Sequence, residues 1–274
     1  MTMSEIGDGN WCFGSPAQQS MERTAHWLWP LLRSDPAYGY MGRSVSLEAV
    51  TPESLPVLAT LARLQGASLS HFVSREDEPE LAAAFSAQGL ISDRWDQFMG
   101  TEACLETCAR VVRGFELPDC YRLREIGPDT EAGLYAKLAE TALACHVLPP
   151  ISAVISGQSQ RAICFVLEAP DGGVAACSGA VLGNHFESPW GRAAWWGMLA
   201  TREKDRGQSL SLYLGALAAL RMNERFGAEI FYTGVRPENA VSRHICGKLG
   251  VSDSGLSCLA VIDPAQFGEG AFTK

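Results

Sequence analysis

A strand that empties into a turn of small residues at the start of a long helix is the first place in this 274-residue chain where residue types and spacing could do chemistry. The segment reads Trp195-Trp196-Gly197-Met198-Leu199-Ala200-Thr201, then Arg202-Glu203-Lys204-Asp205, then Arg206-Gly207-Gln208-Ser209-Leu210-Ser211. Such a turn leaves several backbone N–H groups unpaired and aimed at one point, with the positive end of the helix dipole behind them, which suits a diphosphate. Small residues let the backbone approach the anion closely, and Arg206 adds a cation. The same residues also describe an ordinary helix start with Ser209 as its cap.

A second segment lies just over thirty residues on. After the extended Ile230-Phe231-Tyr232-Thr233-Gly234-Val235 comes Arg236-Pro237-Glu238-Asn239-Ala240-Val241-Ser242-Arg243-His244-Ile245-Cys246-Gly247-Lys248-Leu249-Gly250-Val251. Taken together, the two segments resemble the GNAT superfamily of acyl-CoA-dependent N-acyltransferases. In that family Arg/Gln-x-x-Gly-x-Gly/Ala opens the main helix, and Asn-x-x-Ala/Ser-x-x-Leu-Tyr-x-Lys-Leu-Gly-Phe forms the next one. The positions that match are Arg206, Asn239, Ser242, Ile245, Lys248, Leu249 and Gly250. The resemblance covers about residues 119–263 as a full domain, and the amino-terminal half as a shortened relative of the same fold.

The resemblance implies direct transfer of an acyl group from acetyl-CoA, or another acyl-CoA, to an amine on a small molecule or a peptide, with no metal. Backbone groups of Leu199 and Thr201 would pair with the pantetheine arm. Arg206 and the amides of Gly207, Gln208, Ser209, Leu210 and Ser211 would hold the diphosphate, and Asn239 would hydrogen-bond the CoA chain. Three positions depart from the pattern. Ser209 and Ser211 stand where glycines are usual, Val251 replaces an aromatic residue, and Cys246 occupies the place of a tyrosine that protonates the departing thiolate in many relatives. Cys246 is therefore the catalytic candidate, with inert packing as its alternative. A non-catalytic module that binds acyl-CoA or a protein partner is the competing reading of the whole.

No carboxylate lies on the strand from Ala193 to Thr201, so a general base must come from elsewhere or act through water. Glu187, His185, Glu168, Glu203 and His146 are candidates by position, and each is also an ordinary surface or core residue. Trp195 and Trp196, adjacent in a strand, must point to opposite faces, so one can line an acceptor pocket, and both are as readily core residues. Trp190, Phe186 and His185 precede that strand and would lie near the acceptor entrance.

These residues need an α/β (α+β) scaffold to position them. The first 40 residues read as an irregular start and an amphipathic helix from Gln18 to Leu32, limited by Pro30. A β-α-β-α-β order follows: Ser44 to Val50, Pro52 to Leu64, Ser68 to Ser74, Glu78 to Gln88 and Asp93 to Gly100. Ala103 to Pro118 looks like a junction. Beyond it come Tyr121 to Ile126, a helix from Thr130 to Cys145, and two strands, Arg161 to Glu168 and Val174 to Leu182, around an Asp171-Gly172 turn. The strand from Ala193, the helix from Gly207 to Phe226 stopped by Gly227, a strand from Glu229, a helix from Glu238 to Leu249 and a strand to Ile262 complete the order. The expected architecture is GNAT-like: a mixed, largely antiparallel sheet flanked by helices, with regions 1–117 and 118–274. Phe72-Val73-Ser74 and Thr233-Gly234-Val235 open the same strand, helix, glycine, strand order at an offset of 161 positions, which points to a tandem repeat or to ordinary α/β patterning.

Composition narrows the partners. With 22 Lys+Arg against 31 Asp+Glu, a formal charge of −9 repels phosphate backbones and anionic lipid surfaces, so neither nucleic acid nor membrane is expected. Nine cysteines without a C-x-x-C pair read as reduced thiols. No basic start followed by an apolar run is visible near Met1, which leaves the cytoplasm as the expected location, and a homodimer is compatible with the chain.

Overall fold

The structure is a computed structural model that describes residues 2–267. In chain order the elements are β1 (Met3–Gly7), β2 (Asn10–Phe13), α1 (Pro16–Leu32), β3 (Tyr38–Tyr40), β4 (Val45–Leu47), α2 (Leu55–Gln65), β5 (Ala67–Ser74), α3 (Glu78–Ser86), β6 (Ile91–Gly100) and α4 (Glu102–Gly114). They continue with β7 (Arg122–Glu125), α5 (Ala132–Ala144), α6 (Ser152–Ile155), β8 (Arg161–Glu168), β9 (Val174–Leu182), β10 (Ala193–Thr201), α7 (Leu210–Phe226), β11 (Ile230–Val235), α8 (Ala240–Lys248), β12 (Ser252–Ile262) and α9 (Pro264–Phe267).

Local chemistry explains the main boundaries. Ser15 and Gln18 form a reciprocal capping box before α1, with Pro16 at its first position, where a missing N–H costs nothing. Along α7, Leu210, Leu214, Gly215, Ala218, Ala219 and Met222 fall on one buried stripe, and Gly227, at φ 68°, turns the chain out of the helix. The start that sequence reads as irregular is a hairpin. Gly7 pairs with Asn10 across Asp8 and Gly9, whose φ values of 53° and 71° are those of a tight two-residue turn.

Ten strands form one sheet in the order β3-β4-β5-β12-β6-β11-β10-β9-β8-β7. Only β4–β5 and β10–β11 pair in parallel. The β6–β12 pair has three strands on one side and five on the other, and runs antiparallel with Trp95 opposite Cys258 and Ile91 opposite Ile262. Elements β5, α3 and β6 recur as β11, α8 and β12 at the offset of 161 positions seen between Phe72 and Thr233. The last strands of the two repeats have changed places: β6 pairs with β11, and β12 pairs with β5.

The sheet also curls. The amide of Tyr40, in β3, donates to the carbonyl of Gly183 just beyond β9 at 2.8 Å, and Gly39 bridges Asn184. The concave face inside this curl carries Leu69, Trp95, Trp195, Tyr232 and Cys258, and is covered by α1, the β1–β2 hairpin, α5 and α6. The other face packs α4 and α7 in one cluster and α2 and α3 in a second. No helix among the described residues is long and apolar enough to cross a membrane.

Candidate functional site

Strands β10 and β11 pair at only three positions, Ala193 to Trp195 against Ile230 to Tyr232, and then part. The parting begins where β10 bulges against β9. Between Gly197 and Ala200 the register slips by one residue, and Met198 takes φ 55°, a left-handed conformation costly for a side chain of its size. The bulge swings residues 197–201 away from β11 and opens a wedge through the sheet. Trp195 and Trp196 point to opposite faces as strand geometry requires. Trp195 enters the concave core, and Trp196 donates from Nε1 to the Gly215 carbonyl of α7 at 2.9 Å.

A cavity of about 490 Å³ occupies the wedge and continues onto the concave face. One wall is the parted strand edges, Gly197 to Leu199 and Thr233 to Arg236. A second is the start of α8, where Asn239, Ser242 and Cys246 face in. The far end is lined by Arg43, Leu69, His71, Trp95, Trp195 and Cys258, and the segment from Cys145 to Leu148 closes the side.

The donor end of this arrangement is the turn before α7. Glu203–Asp205 makes one 3-10 turn, held by Arg202 Nε to Asp205 at 2.6 Å, Tyr121 Oη to Asp205 at 2.9 Å and Gln208 Nε2 to Tyr121 Oη at 2.8 Å. The acid at the turn is thus neutralised by partners of its own. Gly207 (φ 82°) and Ser209 (φ 58°) both adopt left-handed conformations, and Ser209 makes no side-chain capping bond. The ordinary serine cap allowed by the sequence is therefore not what forms. The first α7 donor to reach a carbonyl is Tyr213, to Ser209 at 3.0 Å, so the preceding amides are the open donors of a helix start. A separate open groove of about 660 Å³ is lined by Ser209, Gly247 and Lys248 and by Arg110 and Phe115 of the α4 region.

The candidate residues sort by position. Leu199, Asn239 and Cys246 line the cavity, and Ser209 lines the groove. Asn239 caps α8 by accepting the Ser242 amide on Oδ1 at 3.0 Å, which directs its Nδ2 end elsewhere. The Thr201 carbonyl accepts from Arg206 Nε at 3.2 Å and from Cys145 Sγ at 3.3 Å, and the Thr201 and Ser211 hydroxyls bond each other. The Leu210 side chain is buried beneath the turn, so only its backbone can face an anion. Burial pushes the Cys246 thiol up to about 12, which keeps the proton on it.

Of the base candidates, only His146 lines the cavity. Glu168 is tied to Arg124 at the sheet edge, Glu203 lies in the 3-10 turn, and His185 Nδ1 accepts the amide of Glu187 in the β9–β10 loop. Trp190 stacks on Phe72 with ring centres 3.6 Å apart, and Phe186 is exposed.

Sequence reasoning gives no role to Arg43, His71, Trp95 and Cys258, which the fold brings to the cavity from distant positions, nor to Arg236, which directly follows β11. Their signal was a cation or imidazole in an apolar stretch, which many core positions share. His71 is 6% exposed, and burial together with the neighbouring Arg43 charge lowers its imidazole to about 4, so the ring is neutral. Burial lowers Arg43 to about 10. The two guanidiniums lie over the two indoles: Arg43 is 4.6 Å from the Trp195 ring centre, and Arg236 is 4.4 Å from that of Trp95.

A mixed sheet with a bulged strand, a wedge between two parallel strands and an uncapped helix start facing it define the class: the chain has the fold of the GNAT N-acetyltransferases. Solved structures of similar fold include a GCN5-related N-acetyltransferase from Kribbella flavida, 14% identical, with 80% of each chain covered and a TM-score of 0.54. A tandem GNAT protein from the clavulanic acid biosynthesis pathway is 14% identical, with 79% of this chain and 74% of that one covered at a TM-score of 0.54. A functionally unknown conserved protein from Staphylococcus epidermidis is 7% identical, with 95% and 93% covered at 0.51. At such identities the likeness is one of fold. No sequence family model and no curated protein matches the chain.

Proposed function

We propose that the protein is an N-acyltransferase that moves an acyl group from acetyl-CoA or a related acyl-CoA to an amine by direct attack. The observation that carries this reading is the wedge between β10 and β11, continuous with the cavity and flanked by the open amides of the turn before α7. The residues present fit a CoA thioester. The parted edge at Leu199 offers strand groups to the pantetheine amides, and Asn239 lines the same gap. The amides from Gly207 to Ser211, with Arg206, suit the diphosphate, and Arg110 and Lys248 in the groove suit the nucleotide phosphate.

When bound, the thioester supplies an activated carbonyl: the amine N–C bond forms, the C–S bond breaks, the nitrogen loses a proton and the sulfur gains one. The protein's share is positioning and charge. Holding two substrates in line within the cavity accounts for much of the rate, and an amide of the bulged segment at Met198–Leu199 stabilises the oxyanion. His146 removes the proton from the nitrogen, since it is the titratable candidate at the cavity rim and imidazole suits proton transfer near neutral pH. Cys246, held as a thiol, donates a hydrogen bond toward the departing sulfur and keeps its own proton, and the sulfur takes its proton from solvent water.

Calorimetric titration with CoA tests the reading. Micromolar binding is expected, with a loss of roughly tenfold or more in Arg206→Glu, as reversing a charge beside a diphosphate should produce. Unaltered binding in that variant rejects the placement of the diphosphate. A thiol-release assay across a panel of amines then separates the enzyme from a non-catalytic acyl-CoA-binding module, which the high Cys246 pKa alone would favour.

A further inference from the structure

One partly buried cation in the cavity has no ion-pair partner among the described residues. Arg43 lines the far end, where Nη2 donates to the Leu148 carbonyl and Nε is buried without a hydrogen-bond partner. Among the described residues no ion pair includes it. Arg236 is an internal control, because it lies over an indole in the same way yet is held by both oxygens of Asp93 at 2.5 Å. The acid whose field Arg43 feels is Glu22, which is fully buried, and burial pushes its carboxyl well above the usual range, toward the uncharged acid. Glu22 Oε2 accepts the Phe13 amide at 2.7 Å, its Oε1 has no hydrogen-bond partner, and no ion pair among the described residues joins it to Arg43.

A second group in the same cavity is also unspent. His71 is 6% exposed, and its Nε2 has no hydrogen-bond partner. Buried polar atoms are almost always satisfied, so a cation and an imidazole left open in one cavity call for a ligand that completes them. The ligand must bring a single negative charge with paired acceptor oxygens, because one guanidinium offers a fork of donors and the neighbouring walls, Leu69 and Trp195, are apolar. A phosphate dianion would leave charge uncompensated there.

We propose that Arg43 determines specificity by holding a carboxylate that one of the two substrates carries into the cavity. The inference rests on the acyl-transfer reading and deepens it. Two sources share this chemistry: an acceptor amine that bears a carboxylate, or an acyl group that ends in one.

The first test needs no turnover. Phenylacetate and phenylacetamide are titrated into the full chain by calorimetry. Phenylacetate is expected to bind roughly tenfold tighter or more, as a charge-assisted pair predicts, with the difference erased in Arg43→Gln and partly kept in Arg43→Lys. Equal affinities in the unaltered protein, or a difference that survives Arg43→Gln, overturns the proposal. CoA affinity within about twofold of the unaltered protein reports that the variants are folded. Should CoA fail to bind the unaltered protein, the acyl-transfer reading falls while the phenylacetate comparison still judges Arg43. Turnover then separates the sources. Acetyl-CoA with phenylalanine against phenylalaninamide reports a carboxylate on the acceptor, and succinyl-CoA against acetyl-CoA with phenylethylamine reports one on the acyl group. Transfer that shows no preference in either pair overturns the proposal.

Discussion

His146 is the second residue beyond α5, after the cap Cys145, and takes φ 60°, a conformation usually given to glycine. Its amide bonds the Leu143 carbonyl at 3.0 Å and the Val147 amide bonds that of Ala142 at 2.9 Å, so the helix ends in a paired cap that a glycine would close with less strain. His146→Gly should therefore stabilise the fold by up to about 1 kcal/mol while lowering kcat by roughly a hundredfold, with CoA affinity retained. Urea unfolding and steady-state kinetics read the two effects separately, and an unchanged kcat removes His146 as the base. At this scale the sequence singled out residues that the fold brings to one place. Leu199, Asn239 and Cys246 sit within sixty residues of one another around one wedge, so a local motif carries them. Arg43 and His71 were not legible there, since they reach the cavity only through the curl of the whole sheet.

The elements that build the wedge depend on one close packing. Gly215 of α7 presents its carbonyl to Trp196, and a Cβ there would stand 2.9 Å from the Trp196 ring and 3.0 Å from Leu199 Cδ2. Alanine gains about 1 kcal/mol of helix propensity, but the indole is rigid and fully enclosed. Gly215→Ala is expected to lower stability by about 1–3 kcal/mol net and to weaken CoA binding by displacing Leu199, which urea midpoints and calorimetry would show. Most elements were readable in the sequence because their apolar spacing is strong and glycines punctuate it, as at Gly66, Gly89, Gly227 and Gly250. The β1–β2 hairpin was not, for its strands have only five and four residues of mixed polarity, although Asp8-Gly9 held the turn signal.

For the molecule as a whole, the exchange of β6 and β12 joins the two regions into one sheet. A fragment beginning at residue 118 would lack the strand that lies between β11 and β12, and would expose the edges of both. Expressed alone, fragments 1–117 and 118–274 should each fail to show cooperative unfolding, and together they should restore CoA binding. Independent cooperative melting of the second fragment would refute this. The offset of 161 positions was visible in the sequence, but the exchange was not, because strand order within a sheet is written in long-range pairing rather than in local pattern.

The same exchange bears on how such a chain can change over generations. Its first parallel pair, β4 with β5, meets at a single position, and Phe72 beyond that point is stacked against Trp190. Yet deletion cannot discard the region that holds it, since the other region's sheet runs through its last strand. Architecture retains that half while its side chains stay open to change, and those at 43 and 71 lie in a cavity whose lining does not include the turn before α7.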